Sequence, residues 1–180
     1  VLVVSARAQL VADGATNVID GITTNVGGLT IGANGSFSLL IVTNGGIVSS
    51  GTGAGIIGGS SNANFNQVIL TGSNSTWNML PLTVGVGGSG NTLVVTNGGR
   101  ISATSGLLTI GTGGGTNNSV IISGPNSLVN RYPGVEVGFD GSQSQLVIEN
   151  GAKVTSLSGV GRLGFTNTSS FNIATITGAG

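Results

Sequence analysis

The chain has 180 residues, 35 of them glycine, with no cysteine, no histidine, five basic and five acidic residues, and a formal net charge of zero. Scattered cations that sum to no net charge argue against nucleic acid or an anionic membrane as partner, and the lack of cysteine excludes a disulfide framework. A mean hydropathy of +0.42 separates the chain from disordered polymers, so one packed domain is expected, while no run nears the roughly 20 apolar residues of a bilayer-spanning helix.

The aliphatic residues come in short runs, such as 93–95 and 120–122, punctuated by Gly, Asn and Ser every few residues. That is strand-and-turn grammar, and no window sustains a helical apolar period, so strands are expected throughout. At the start, Val1, Leu2, Val3 and Val4 precede Ala6, Arg7, Ala8 and Gln9. Two readings fit these residues: the tail of a signal peptide ending in an Ala-x-Ala cleavage site, or a first apolar strand. Residues 1–28 read as an irregular N-terminal coil. The spacing from Gly14 to Gly32 is 18, against about 13 elsewhere, which marks Asp20 to Asn25 as a candidate inserted loop.

From residue 29 onward the chain repeats. Leu29, Thr30, Ile31, Gly32 returns as Leu82, Thr83, Val84, Gly85 and again as Val135, Glu136, Val137, Gly138, 53 residues apart each time. Asn44, Gly45, Gly46 returns in the same register as Asn97, Gly98, Gly99 and Asn150, Gly151, Ala152, and Gly58 returns as Gly111 and Gly164. The tandem units are 29–81, 82–133 and an incomplete 134–180, all in one solenoid domain.

Each unit splits into two related halves, because Leu107 to Gly111 echoes Leu82 to Gly85, and Val120 to Ser123 echoes Leu93 to Thr96. The physical unit is then a coil of about 26–27 residues, and the expected fold is all-β, a right-handed parallel β-helix with a 53-residue double-coil repeat. Strands are predicted at Leu82 to Gly85, Thr92 to Thr96 and Arg100 to Ser102 in one half. In the other they fall at Leu107 to Gly111, Ser119 to Ser123 and Ser127 to Asn130.

Successive strand residues face opposite sides, so Leu40, Val42, Leu93, Val95, Leu146 and Ile148 are predicted to stack in the core, with Thr43, Thr96 and Glu149 exposed. Asn44, Gly45, Asn97, Gly98, Asn150 and Gly151 are the predicted turn residues, placed where the backbone needs positive φ. Six to seven coils about 4.8 Å apart give a rod on the order of 30 Å long.

The segments Gly72 to Trp77, Gly88 to Gly90 and Leu93 to Gly99, with the Leu-Thr-Val-Gly box, resemble the tandem repeat of autotransporter-type passengers and PEP-CTERM-associated surface proteins of Gram-negative bacteria. The resemblance spans residues 29–180 and implies export, a right-handed β-helical passenger and a secreted or cell-surface location. It implies no activity, because such repeats are scaffold and function has to be argued from a site.

A polysaccharide lyase or hydrolase on such a fold needs carboxylates or bases converging on one face. Glu136, Asp140 and Glu149 fall within one coil, but with no histidine and with Lys153 the only nearby base they read as solvated surface substitutions, so no catalytic residue is assigned. Gly53, Gly55, Gly58 and Gly85, Gly87, Gly90 match a dinucleotide-binding pattern without opening a helix. Thr92 stands where a calcium-binding nonapeptide repeat needs aspartate, so neither metal nor cofactor is expected. Trp77, the single tryptophan, is expected to pack at a coil corner.

The expected function is a structural subunit of an extracellular bacterial fibre, sheath or surface layer. The alternative is an adhesin passenger binding a cell-surface or glycan ligand. Ile176, Thr177, Gly178, Ala179 and Gly180 match Ile122 to Asn126, so the chain stops within a coil, and no cap is evident at either end. Val1, Leu2, Val3, Val4, Ile176, Gly178 and Gly180 are therefore the candidate assembly ends. The expected partner is a second copy stacked head to tail, a heterologous contact that propagates into an open filament, or another surface component; the equal alternative is that these residues are an excerpt of a longer solenoid.

Overall fold

The computed structural model describes residues 10–103, 105–130, 134–156 and 159–178. Three short strands make each coil. The first coil holds β1 (Thr16–Asp20), β2 (Thr23–Asn25) and β3 (Leu29–Ile31), the second β4 (Leu39–Thr43), β5 (Ile47–Ser49) and β6 (Gly55–Ile57). The third holds β7 (Gln67–Thr71), β8 (Thr76–Asn78) and β9 (Leu82–Val86), the fourth β10 (Thr92–Thr96), β11 (Arg100–Ser102) and β12 (Leu108–Thr112). The fifth holds β13 (Ser119–Ser123), β14 (Leu128–Asn130) and β15 (Val135–Val137), the sixth β16 (Gln145–Glu149), β17 (Lys153–Thr155) and β18 (Gly161–Leu163); β19 (Ile173–Thr177) opens a seventh.

Each strand pairs in parallel with its counterparts in the neighbouring coils, on one side only for those at the sheet ends, which builds three sheets of seven, six and six strands. The protein is thus an all-β parallel solenoid of about six turns and about 26 residues per turn, with no helix among the described residues. Seven strands in the first sheet, at the usual inter-strand spacing, span about 30 Å.

The double period has a structural cause in the turns from the first sheet to the second. In one kind of coil the turn is Asn-Gly with both residues at positive φ: Asn44 (51°) and Gly45 (78°), Asn97 (52°) and Gly98 (83°), Asn150 (55°) and Gly151 (80°). Glycine and asparagine accept this left-handed conformation at little steric cost. In the intervening coils positive φ falls instead at Gly72 and Asn74, and at Gly124 and Asn126. The two kinds interlock, since the Gly45 amide donates to Ser75 Oγ at 3.1 Å and the Gly98 amide to Ser127 Oγ at 3.0 Å. The smallest unit containing both turns and their contact is two coils, which is why strands beginning at residues 39, 92 and 145 are 53 apart.

Leu40, Val42, Leu93 and Val95 are fully buried, and Leu146 and Ile148 nearly so, in columns along the rod axis. Thr43, Thr96 and Glu149 face outward yet are half-buried rather than exposed. The cause is stacking: each has a neighbouring strand about 4.8 Å away on either side, so only its outer tip meets water.

Two further expectations are corrected. Asp20 to Asn25 is no inserted loop: it comprises the end of β1, a turn at Gly21 and Ile22, and β2, with Asp20 opposite Thr43 and Thr23 opposite Ile47. The turn is one residue shorter than the Asn-Gly turn beside it, and glycine-to-glycine counting mistook strand for insertion. Trp77 is not at a corner. It sits in the middle of β8, fully buried between Val48 and Ile101 in register, and its Nε1 donates to Ser50 Oγ at 3.2 Å. Gly55, across the core, makes room for the indole: a Cβ there would lie 2.8 Å from the ring.

Candidate functional site: an internal amide ladder and an uncovered coil edge

One polar position recurs in coil after coil, immediately before β4, β7, β10, β13, β16 and β19. It is occupied by Ser38, Asn66, Asn91, Asn118 and Ser144, all buried, and by Asn172, which is half-buried. Burying an amide is costly unless its hydrogen bonds are made, and here they are made along the axis. The backbone amide and Nδ2 of Asn66 both donate to Asn91 Oδ1 at 3.0 Å. The same two groups of Asn91 donate to Asn118 Oδ1 at 2.9 and 3.1 Å, and Asn118 Nδ2 ends on the Gly88 carbonyl at 2.9 Å. Ser144 interrupts the series: its Oγ is buried with no partner, and the ladder resumes only where the Ser144 amide donates to Asn172 Oδ1 at 2.8 Å.

This ladder was not anticipated from the sequence. Its side chains also explain the glycines at or just past the end of the third strand in five coils, Gly32, Gly58, Gly85, Gly111 and Gly138. Gly85 (φ 83°) lies under Asn118, where a Cβ would come within 2.2 Å of the amide.

The rod presents a different surface at the edge made by β17, β18 and β19. Ile176 is in register with Ile148, but Ile148 is 9% exposed and Ile176 78%. Likewise Leu163 lies over Val137, at 54% against 3%. These are core positions with no coil above them among the described residues. Around them Val160, Phe165, Phe171 and Ile173 are exposed as well. Phe165 is held by stacking on Phe139 at 5.0 Å and by the Arg162 guanidinium 4.4 Å from its ring. Phe171 holds φ at 56°, a strained setting for an aromatic residue.

At the opposite edge β1, β2 and β3 end their sheets among the described residues, but part of the core there is covered. Val11 is fully buried, Leu10 packs on the core, and the Asn17 amide donates to the Leu10 carbonyl. Among the candidate assembly ends, Ile176 lies on the exposed edge and Gly178 (φ 98°) at the turn after β19, whereas Val1, Leu2, Val3, Val4 and Gly180 lie outside the described residues.

Glu136, Asp140 and Glu149 do not converge. Glu136 is in β15, Asp140 in the corner that follows, and Glu149 at the end of β16 in another sheet; among the described residues no three acids gather. Glu136 is also not a solvated substitution. It is 3% exposed, ion-paired to Arg162 one coil on, and 3.5 Å from Thr109 Oγ1 one coil back. A single outward row puts Thr109, Glu136 and Arg162 in register, so the partner of Glu136 is set by coil length and not by nearness in sequence.

With this geometry in hand, comparison with known proteins returns nothing: no family model, curated protein or solved structure matches the chain.

Proposed function

We propose that the chain is a structural unit of an extracellular bacterial fibre, sheath or surface layer, extended by stacking a further coil on the edge of β17, β18 and β19. The observation that carries this reading is the pair Ile148 and Ile176, one column position with opposite exposures. Covering a side chain such as Ile176 or Leu163 contributes about 1.5–3 kcal/mol each, so an edge holding both favours occupation. Unpaired strand edges add main-chain donors and acceptors to the same surface. The extracellular placement is supported by the resemblance of the repeat boxes to bacterial surface proteins. A second copy docking here would form a heterologous contact that propagates rather than closes.

Placing charge on the edge tests this. Ile176→Asp together with Leu163→Asp is expected to abolish concentration-dependent association, followed by sedimentation and electron microscopy, while the β-rich circular dichroism is kept. If the unmodified chain stays monomeric at high concentration, or the double variant associates as before, stacking of copies through this edge is wrong.

A further inference from the structure

Three cations lie among the described residues, and one of them, Arg162, is paired with Glu136. Arg100 and Lys153 are different: both are exposed, and neither side chain makes an ion pair or hydrogen bond. They occupy the same repeat position, the first strand residue after an Asn-Gly turn, on the outer face of the second sheet. Both are in register with Leu128 on the strand between them. Two inter-strand steps separate them, about 9–10 Å.

The space between them is a groove of ≈ 430 Å³ lined by Arg100, Pro125, Asn126, Leu128, Gly151 and Lys153. Asn126 is exposed, with its side-chain amide unengaged. Alongside the cationic row runs a second outward row, Asn78, Ser102, Asn130 and Thr155, which supplies amides and hydroxyls. Neither row contains an acid. Glu149, the acid closest in sequence to Lys153, ends β16 in the adjoining sheet and does not pair with it.

In a protein with so few charges, two unpaired cations at matched positions across an apolar side chain make a specific pattern. An anionic partner with two acidic groups and an apolar patch between them is complementary to it. We propose that this groove binds a carboxylated polysaccharide, with Arg100 and Lys153 each holding one carboxylate and Leu128 seating the C–H face of the intervening sugar. Arg100 suits this as a planar fork that pairs a carboxylate bidentately, and the Asn and Ser row is placed for sugar hydroxyls. Two cations fall short of the polybasic cluster, roughly four to eight residues, that recruits an anionic membrane. The groove also has no aromatic platform for unstacked bases. It opens sideways from the rod, so it stays accessible whether or not coils stack at the edge.

The test uses the purified chain and a galacturonic-acid oligosaccharide, with a neutral galactose oligosaccharide, single-stranded DNA and anionic lipid vesicles as comparison ligands, read by titration calorimetry. Binding to the acidic sugar alone is expected, weakening with salt. Arg100→Ala and Lys153→Ala should each weaken it about tenfold, and the double variant should abolish it, whereas Arg100→Lys and Lys153→Arg should retain most of it. Both positions are exposed, so all variants should melt like the unmodified chain. The proposal is overturned by absence of binding to the acidic sugar, by a double variant that binds undiminished, or by equal binding to the neutral sugar, DNA or vesicles.

Discussion

Replacing Trp77 with Ala is expected to lower the stability of the rod by about 3–5 kcal/mol, the range for deleting a large buried aromatic side chain from a core. The indole is fully buried in the centre of β8, with Val48 and Ile101 as its register neighbours, so the void cannot fill with water or collapse freely. A reciprocal experiment makes this specific. Gly55 has no positive φ to protect, and its missing side chain is explained by the ring 2.8 Å from where a Cβ would stand. Gly55→Val alone should therefore destabilise through overpacking, while Gly55→Val combined with Trp77→Ala should be more stable than Trp77→Ala. Thermal melting followed by circular dichroism gives all four corners of the cycle. If the two substitutions prove additive, Gly55 and Trp77 are not a packing pair.

Asn91→Leu should cost about as much, although leucine is more hydrophobic and of similar size. The substitution strands the Asn66 backbone amide and Nδ2, both of which donate to Asn91 Oδ1, and removes one of the two donors to Asn118 Oδ1, the Asn91 backbone amide remaining as the other. Each buried polar group left unsatisfied costs about 1–3 kcal/mol, giving an expected loss of roughly 3–5 kcal/mol. Asn91→Ser should be milder, because serine is the residue that Ser38 and Ser144 place at this position in their own coils. The order Asn, Ser, Leu in decreasing melting temperature is the expected result. Leucine melting above serine would show that the site rewards apolar burial and that the ladder contributes little.

How much of this was legible in the sequence depends on which residues carry the signal. Strand positions such as Thr92–Thr96 and Ser119–Ser123 were read to the residue, because alternation of aliphatic and polar side chains reports directly which face is buried. The turns at Asn44, Asn97 and Asn150 were equally plain, since the Asn-Gly pair is a local requirement of left-handed backbone. The ladder was hidden because Asn66, Asn91 and Asn118 look like further turn residues in a chain rich in asparagine. Only their placement one residue before each first-sheet strand distinguishes them, and that is a relation between coils. Glu136 was misread for the same reason. Its partner Arg162 lies 26 positions away in sequence and one strand away in space. Length differences between turns, which misplaced Asp20 to Asn25, carry no hydrophobic signal at all.

The vacancy in the ladder at Ser144 has a mechanical consequence. In a solenoid each coil is stabilised only by the coils beside it, so the stability of the rod is a chain of neighbour couplings. Between the coil of Asn118 and that of Ser144 the main-chain bonds continue and Asn150 Nδ2 still donates to Ser123 Oγ on the outside, but the internal amide ladder does not span the gap and a buried hydroxyl goes unanswered. That junction is the break in the internal ladder. Heat, tension or a protease should part the rod there first, peeling β16, β17, β18 and β19 away while the coils joined by Asn66, Asn91 and Asn118 stay wound.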